Sequence, residues 1–451
     1  MMNPEIFREY DIRGIAGKDM TEEEVFILGK GMGTYLKRLG CTRLNVGRDC
    51  RLTSEAYAKQ VIEGLRSSGC DVTDLGVCPT PVFYFSIAHL KRQGGVMVTA
   101  SHNPKEYNGF KVCKNLDSVY GDDLKKILGL IDNRDFEQGQ GAYETVDILT
   151  PYKAFVLGNI KLSKPLRVGI DAGNGTGGLT ALPILKGLGC EVHGLYCDMD
   201  GTFPNHEADP TVAKNMKDLI RLVAEQNLDL GIGFDGDSDR IGVVDEKGDM
   251  VFGDQLMIIF SREILSRKPG AVFISEVKCS QTLYDDIEKN GGKAVMWRTG
   301  HSLIKKKMKE EKAELAGEMS GHMFFADRYF GYDDAVYAAC RLLEILADTG
   351  KTIAQLLSGI PKTFSTPEIR VDCPDNIKFA VVEKVTAHFK KTHRVIDIDG
   401  ARVLFDEGWG LVRASNTQPA LVLRFEALSP EKLLEIRKTV ESVLDDIKKG
   451  Y

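Results

Sequence analysis

Along the first 130 positions, apolar residues fall alternately into helical and strand spacing. Thr21 and Glu24 give a capping-box signal ahead of VFILGKGMGTYLKRLG, which predicts a helix. LNVGRD then reads as a strand, SEAYAKQVIEGLRSSG as a helix and CDVTDLG as a strand, and Pro81 marks a helix start in TPVFYFSIAHL. GGVMVTA is the next strand, and it delivers the chain to Ser101. The rhythm restarts twice, with RVGIDAGNGTGG, EVHGLY and LDLGIGFDGDSDR in one block and AVFISEV and KAVMWRT in another. Strands alternating with helices of this length predict mainly parallel sheets covered on both faces.

Polar and turn-rich stretches divide the pattern. NRDFEQGQGAYE marks a boundary near residue 145, DEKGDM one near 250, and Pro361 and Pro367 bracket a third. Beyond it come a helix, short strands from Val395 to Ala427, and a closing helix capped at Ser429-Pro430. The expected fold class is α/β: three α/β domains (1–146, 147–249, 250–362) with mixed, largely parallel sheets, then a C-terminal α+β domain (363–451). The absence of a fixed repeat length excludes a solenoid.

A chain of 451 residues exceeds what one core usually serves. With 59 Lys and Arg against 65 Asp and Glu, the net charge of −6 argues against a broad nucleic-acid footprint, so any anionic ligand must be held by local sites. No apolar run reaches the roughly 18 residues of a membrane span, and MMNPEIFREYDIRG lacks a signal core, so a cytoplasmic location is expected. Ten scattered cysteines without CxxC pairs read as reduced, mostly buried thiols. No obligatory protein partner is evident.

Four polar loops carry candidate chemistry. TASHNPKEYNGFKV (99–112) begins where a buried strand ends, the usual place for ligands in open α/β sheets. Ser101 is expected there, exposed, with His102, Asn103 and Lys111 as donors able to neutralise a phosphoryl group. A turn built on Asn-Pro and Asn-Gly accounts equally for this stretch. DGDSDR (235–240) sets Asp235, Asp237 and Asp239 at alternate positions, so an extended loop points all three one way. Converging carboxylates repel unless a hard cation sits among them, and oxygen ligands suit Mg²⁺. An EF-hand, with Glu246 at its twelfth position, fails because Arg240 occupies the glycine position and the flanks are strands. A solvated turn is the remaining alternative.

GEMSGH (317–322) combines Glu318, Ser320 and His322, groups able to hold sugar hydroxyls, although a polar strand end explains it as well. RASNTQP (413–419) crowds Arg413, Ser415, Asn416 and Thr417 as a phosphate nest requires, or as a Ser-Asn turn stopped by Pro419. Gly173, Gly175 and Gly178, with Asp198 beyond, outline a dinucleotide fingerprint, but a lone match leaves the other loops unexplained.

In this order, FREYDIRG, TASHNPKEYNGFKV, DGDSDR, GEMSGH and RASNTQP resemble the α-D-phosphohexomutase superfamily, from residue 7 to about 427. The resemblance implies four domains around a central cleft and interconversion of hexose 1- and 6-phosphates of mannose and glucose. A hexose 1,6-bisphosphate would serve as intermediate and activator. It implies a phosphoserine at Ser101, Mg²⁺ on Ser101, Asp235, Asp237 and Asp239, and sugar contacts from Glu318, Ser320 and His322. Arg413, Ser415, Asn416 and Thr417 would hold the idle phosphate. Tyr10, Arg13, His102, Asn103, Lys111 and Arg240 would line the reacting end, and Lys278 and His301 match positions linked to substrate contact or proton handling. Phosphoglucosamine mutase, a phosphatase and a non-catalytic sugar-phosphate-binding protein are the competing readings.

Overall fold

The computed structural model describes residues 2–416 and 418–451. Its first sheet is seven-stranded, with Arg43–Arg48, Asp71–Val77, Gly94–Val98 and Tyr143–Thr145 parallel. Tyr107–Lys114 turns back antiparallel on Gly94–Val98 and also pairs with Ile12–Ile15. The second sheet sets Glu191–Leu195, Arg167–Asp171 and Leu230–Phe234 parallel, then Ile241–Val244 and Met250–Val251 antiparallel. In the third, Lys293–Trp297, Val272–Glu276 and Leu315–Gly317 are parallel and Met323–Phe325 returns antiparallel. The fourth sheet is antiparallel throughout and packs on helices Lys378–Phe389 and Pro430–Lys448.

One device recurs. In each of the first three sheets one parallel strand bends directly into an antiparallel neighbour, and the bends fall at 99–106, 235–240 and 318–322. The fourth polar loop is likewise the turn between Gly408–Ala414 and Ala420–Ala427. Every loop with candidate chemistry is therefore a hairpin at a strand end, where backbone leaves the sheet and side chains can face a ligand.

Two local details go beyond the sequence pattern. At DEKGDM, Asp245 accepts the N–H groups of Lys247 and Asp249, closing a hairpin whose second strand, Met250–Val251, stays in the second sheet. The last portion also begins with two strands, Phe364–Ser365 and Ile369–Asp372, before its helix. Both were hidden by prolines and by half-exposed sequence.

The helix Thr80–His89 is apolar all round and is buried on every side. Phe85 meets Tyr152 and Phe330, and Tyr84 meets Tyr332, so this helix joins the first three units into one core. All ten cysteines are free, eight of them buried. No helix among the described residues is long and apolar enough to cross a membrane.

Candidate active site

Strand Gly94–Val98 hands the chain to Ser101, whose backbone is left-handed at φ 49°, a conformation uncommon for a residue with a side chain. Its Oγ donates to Asp235 Oδ2 at 2.5 Å and lies 3.1 Å from His102 Nδ1. Ser101 is not exposed as expected. It is buried, because the acidic loop of the second unit lies over it: a Cβ placed on Gly236 would stand 2.5 Å from the Ser101 carbonyl oxygen.

The acidic loop is not extended either. Ser238 takes a positive φ and donates to the Asp235 carbonyl, while Asp235 Oδ1 accepts the N–H groups of Asp239 and Arg240, both at 3.0 Å. This tight turn, rather than strand alternation, brings one oxygen of each of Asp235, Asp237 and Asp239 within 4.8 Å of the others. Asp237 Oδ2 accepts from Thr80 (2.6 Å), Thr99 (3.1 Å) and Lys111 (2.9 Å), and Lys111 also pairs with Asp239. Asp237 Oδ1 is buried without a hydrogen-bond partner.

Burial, then the charges of Asp239 and Asp237, push the Asp235 carboxyl well above its usual range. Burial opposes ionisation of Asp239 too, but Lys111 and His322 hold it well below that range. Three buried carboxylates whose oxygens converge, one of those oxygens orphaned, fit a small hard cation.

The glycines of the nucleotide-like fingerprint support this turn instead of a cofactor. Thr176 donates from N and Oγ1 to the Gly236 carbonyl, and a Cβ on Gly175 would reach that same oxygen at 2.6 Å.

His322 links the third loop to the second. Its Nδ1 lies 2.6 Å from Glu318 Oε2 and its Nε2 lies 3.2 Å from Asp239 Oδ1. Burial disfavours its charge, but Asp239 and Glu318 outweigh this and push it up to about 9. Glu318 is held at about 2 against burial by His322, by Lys278 and by the Gly300 N–H. Ser320 is half-buried, 3.4 Å from His322 Nδ1, and Arg240 Nε is 3.2 Å from Nε2. His301 opens the helix His301–Glu311 with Nδ1 buried, without a hydrogen-bond partner among the described residues and 3.9 Å from Asp333 Oδ2, and burial followed by Lys305 and His322 pushes its pKa well below the usual imidazole range. Arg13 reaches Asn103 Oδ1 at 2.5 Å and pairs with Asp11.

The fourth loop faces this group across a clasp. Asp399 Oδ2 accepts from Arg413 Nε and from the Thr299 N–H, both at 3.0 Å. Tyr10, expected at the reacting end beside Arg13, belongs here: its hydroxyl donates to the Thr299 carbonyl (2.8 Å) and accepts from Asn416 Nδ2 (2.7 Å). Lys278 pairs with Glu368 at 3.2 Å. The Ser415 hydroxyl accepts the Gln418 N–H, and Thr417 lies outside the described residues.

Models of phosphoglucomutase/phosphomannomutase alpha/beta/alpha domains I, II and III match residues 4–138, 150–248 and 252–364, and that of the C-terminal domain matches 368–443. The chain belongs to the phosphoglucomutase/phosphomannomutase family. Within that family it is 44% identical over 441 residues to the phosphomannomutase/phosphoglucomutase of Pseudomonas putida, covering 97% of this chain and 95% of that protein. It is 41% identical to the phosphoglucomutase of Neisseria meningitidis serogroup A, covering 98% and 97%. The crystal structure of a family protein from Burkholderia thailandensis superposes with a TM-score of 0.95 at 40% identity, covering 100% of this chain and 99% of that one.

Sequence reasoning missed Asp399, Arg51 and Lys378, buried or half-buried polar groups outside the family's polar loops. Lys378 is buried and donates to the Ser415 carbonyl (2.6 Å) and the Gln418 carbonyl (3.1 Å), holding the fourth loop from below. In the sequence Lys378 is only one lysine among apolar helix residues, which does not mark it as enclosed. The contact between the first two loops has a direct test. Gly236→Ala is expected to lower the melting temperature by about 1–3 °C, because the added methyl must displace backbone; an unchanged melting curve would show that the loops are not in contact.

Proposed function

We propose that this enzyme is a hexose-phosphate mutase that moves a phosphoryl group between O1 and O6 of glucose and mannose phosphates, with Ser101 as the carrier. The observation that carries this reading is the Ser101 hydroxyl held 2.5 Å from Asp235 in a buried acidic pocket ringed by Lys111, Arg240 and His322. Relatives at 44% and 41% identity, a phosphomannomutase/phosphoglucomutase and a phosphoglucomutase, support hexose phosphates as substrates.

In the proposed reaction the free hydroxyl oxygen of a hexose monophosphate bonds to the phosphorus on Ser101 as the P–Oγ bond breaks. The product is a 1,6-bisphosphate. Its other phosphate is then returned to Ser101, and the isomeric monophosphate leaves. Such a transfer asks mainly for alignment and charge neutralisation. Lys111, Arg240, Arg13 and His102 supply positive or donor groups, and the neutral His301 is suited to take the proton of the attacking hydroxyl. Asp235, Asp237 and Asp239, with an oxygen of the phosphorylated Ser101, would hold Mg²⁺, which when bound neutralises phosphoryl charge. Arg413, whose guanidinium plane is fixed by Asp399, would receive the idle phosphate together with Ser415, Asn416 and Thr417. Lys278 would add charge near it, and Glu318 and Ser320 would hold O3 and O4.

The carrier is tested by Ser101→Ala, which should nearly abolish conversion of mannose 1-phosphate to the 6-phosphate in the presence of the 1,6-bisphosphate; near-normal rates would remove Ser101 from the mechanism. The metal is tested by chelation. EDTA should silence the enzyme and Mg²⁺ restore it, whereas full activity after exhaustive chelation would refute a metal at the acidic turn.

Substrate choice follows from what the sugar loop can read. Glucose and mannose phosphates differ only at C2, and contacts to O3 and O4 leave no group that pairs with one epimer and is orphaned by the other. The bisphosphate must also bind in two orientations, which exchanges O3 with O4 and moves C2 elsewhere. Specificity constants for the two sugars should agree within about tenfold, or roughly 1.4 kcal/mol, with glucosamine phosphate a poor substrate. Steady-state kinetics on all three 1-phosphates decides this, and a thousandfold preference for any one would overturn it.

A further inference from the structure

Arg51 lies outside every polar loop discussed above, yet its side chain is almost wholly enclosed and its guanidinium faces the inner side of the Ser101 loop. Nη1 donates to the carbonyls of Pro104 (2.7 Å) and Tyr107 (3.0 Å), and Nη2 to those of Ser101 (2.8 Å) and Asn103 (2.6 Å). All four Nη protons are thus spent on one seven-residue stretch of backbone. Nε sits 3.2 Å from Asp49 Oδ2, and Asp49 is itself held by the Ser54 hydroxyl and by the Arg51 N–H. The Phe203 ring of the second unit covers the guanidinium at 5.2 Å, and Gly201 bridges to the Arg51 backbone.

We infer that Arg51 is the positioning residue of the phosphoryl carrier: its four-way fork fixes the left-handed Ser101 and thereby the line of attack at Oγ. The inference rests on Ser101 being the carrier. The Ser101 carbonyl is caught between Arg51 Nη2 on one side and Gly236 on the other, so the fork also sets Ser101 against the acidic turn. A left-handed non-glycine residue persists only where its surroundings over-determine it, and these are the contacts that do so here. Lysine cannot replace the fork. Its ammonium has three donors in a tetrahedral array, against four carbonyls and a carboxylate.

The test compares full-length parent, Arg51→Lys and Ser101→Ala with glucose 1-phosphate and glucose 1,6-bisphosphate as probes. Misplacing the carrier should lower kcat of Arg51→Lys by about 100-fold while KM for the monophosphate stays within about threefold, since the idle-phosphate site is untouched. Calorimetric affinity for glucose 6-phosphate should be unchanged, a pattern that general loss of structure does not produce. In Arg51→Ala, millimolar guanidinium should restore part of the lost kcat, and it should restore nothing in Ser101→Ala. Should Arg51→Lys fail to fold, Asp49→Asn, which removes the carboxylate charge paired with the Arg51 guanidinium, should lower kcat by about tenfold with the same constant KM. If Ser101→Ala is inactive while Arg51→Lys keeps kcat within threefold of parent, or loses kcat and substrate affinity together, the positioning role is wrong and the carrier stands. If Ser101→Ala turns over normally, the carrier reading fails and the inference falls with it.

Discussion

The site depends on one electrostatic constraint: three carboxylates from a six-residue turn are buried together beside a serine hydroxyl. Such a cluster is unfavourable in a dry pocket unless positive charge and donors reach it from several sides. The first unit supplies Thr80, Thr99 and Lys111, which converge on Asp237 Oδ2, and the third supplies His322, which lies against Asp239 Oδ1. The units are consequently tied by charge as well as by packing. Thr80 shows both ties, since it opens the buried apolar helix that joins the cores and donates from its own N–H and hydroxyl to Asp237.

The repeated hairpin explains how four units deliver four loops to one place. A parallel strand that turns straight back antiparallel leaves a short, stiff connection at the carboxyl edge of its sheet, and three such edges meet here. Stiffness comes from local closure: Asp235 accepts the amides of its own turn, and the Glu318 N–H donates to the His322 carbonyl while the Gly321 N–H donates to that of Glu318. The loops then need little further ordering when a ligand arrives, which is what preorganised electrostatic stabilisation requires.

Much of this was legible in the sequence. The helix capped by Thr21 and Glu24, the buried strands, the Ser429 cap and the membership of the polar loops all follow from local pattern, because each is set by residues within a few positions of one another. What was not legible depends on distant chain. Ser101 reads as exposed until the acidic turn is folded over it. Tyr10 sits three residues from Arg13 in sequence but meets Asn416, some 400 positions away, in space. Gly173, Gly175 and Gly178 have the spacing of a phosphate cradle, yet they meet protein, Gly175 approaching Gly236, Gly173 Ala208 and Gly178 the Cys197 carbonyl. Arg51 and Lys378 look like ordinary surface cations, since nothing local marks a charge that will be enclosed and turned toward carbonyl oxygens.

The fourth unit meets the rest along two lines of different chemistry. On one, Arg402 is fully buried and donates to the Val277 (2.6 Å) and Cys279 (2.8 Å) carbonyls, while its guanidinium lies 3.9 Å from the Trp409 ring, which packs with Val277 and Leu411. On the other, the contacts are Tyr10 with Asn416, Asp399 with Thr299, and Lys278 with Glu368, all partly open to water. Exchanging a partly exposed hydrogen bond for water costs about 0.5–1.5 kcal/mol, whereas stripping a buried carbonyl of its donor costs about 1–3 kcal/mol for each group. The polar line is therefore the cheaper of the two to open. If a bisphosphate turns over between half-reactions, as proposed above, the clasp around Arg413 would have to release one phosphate and accept the other, and this asymmetry would let it do so while the dry line keeps the fourth unit in register on the third.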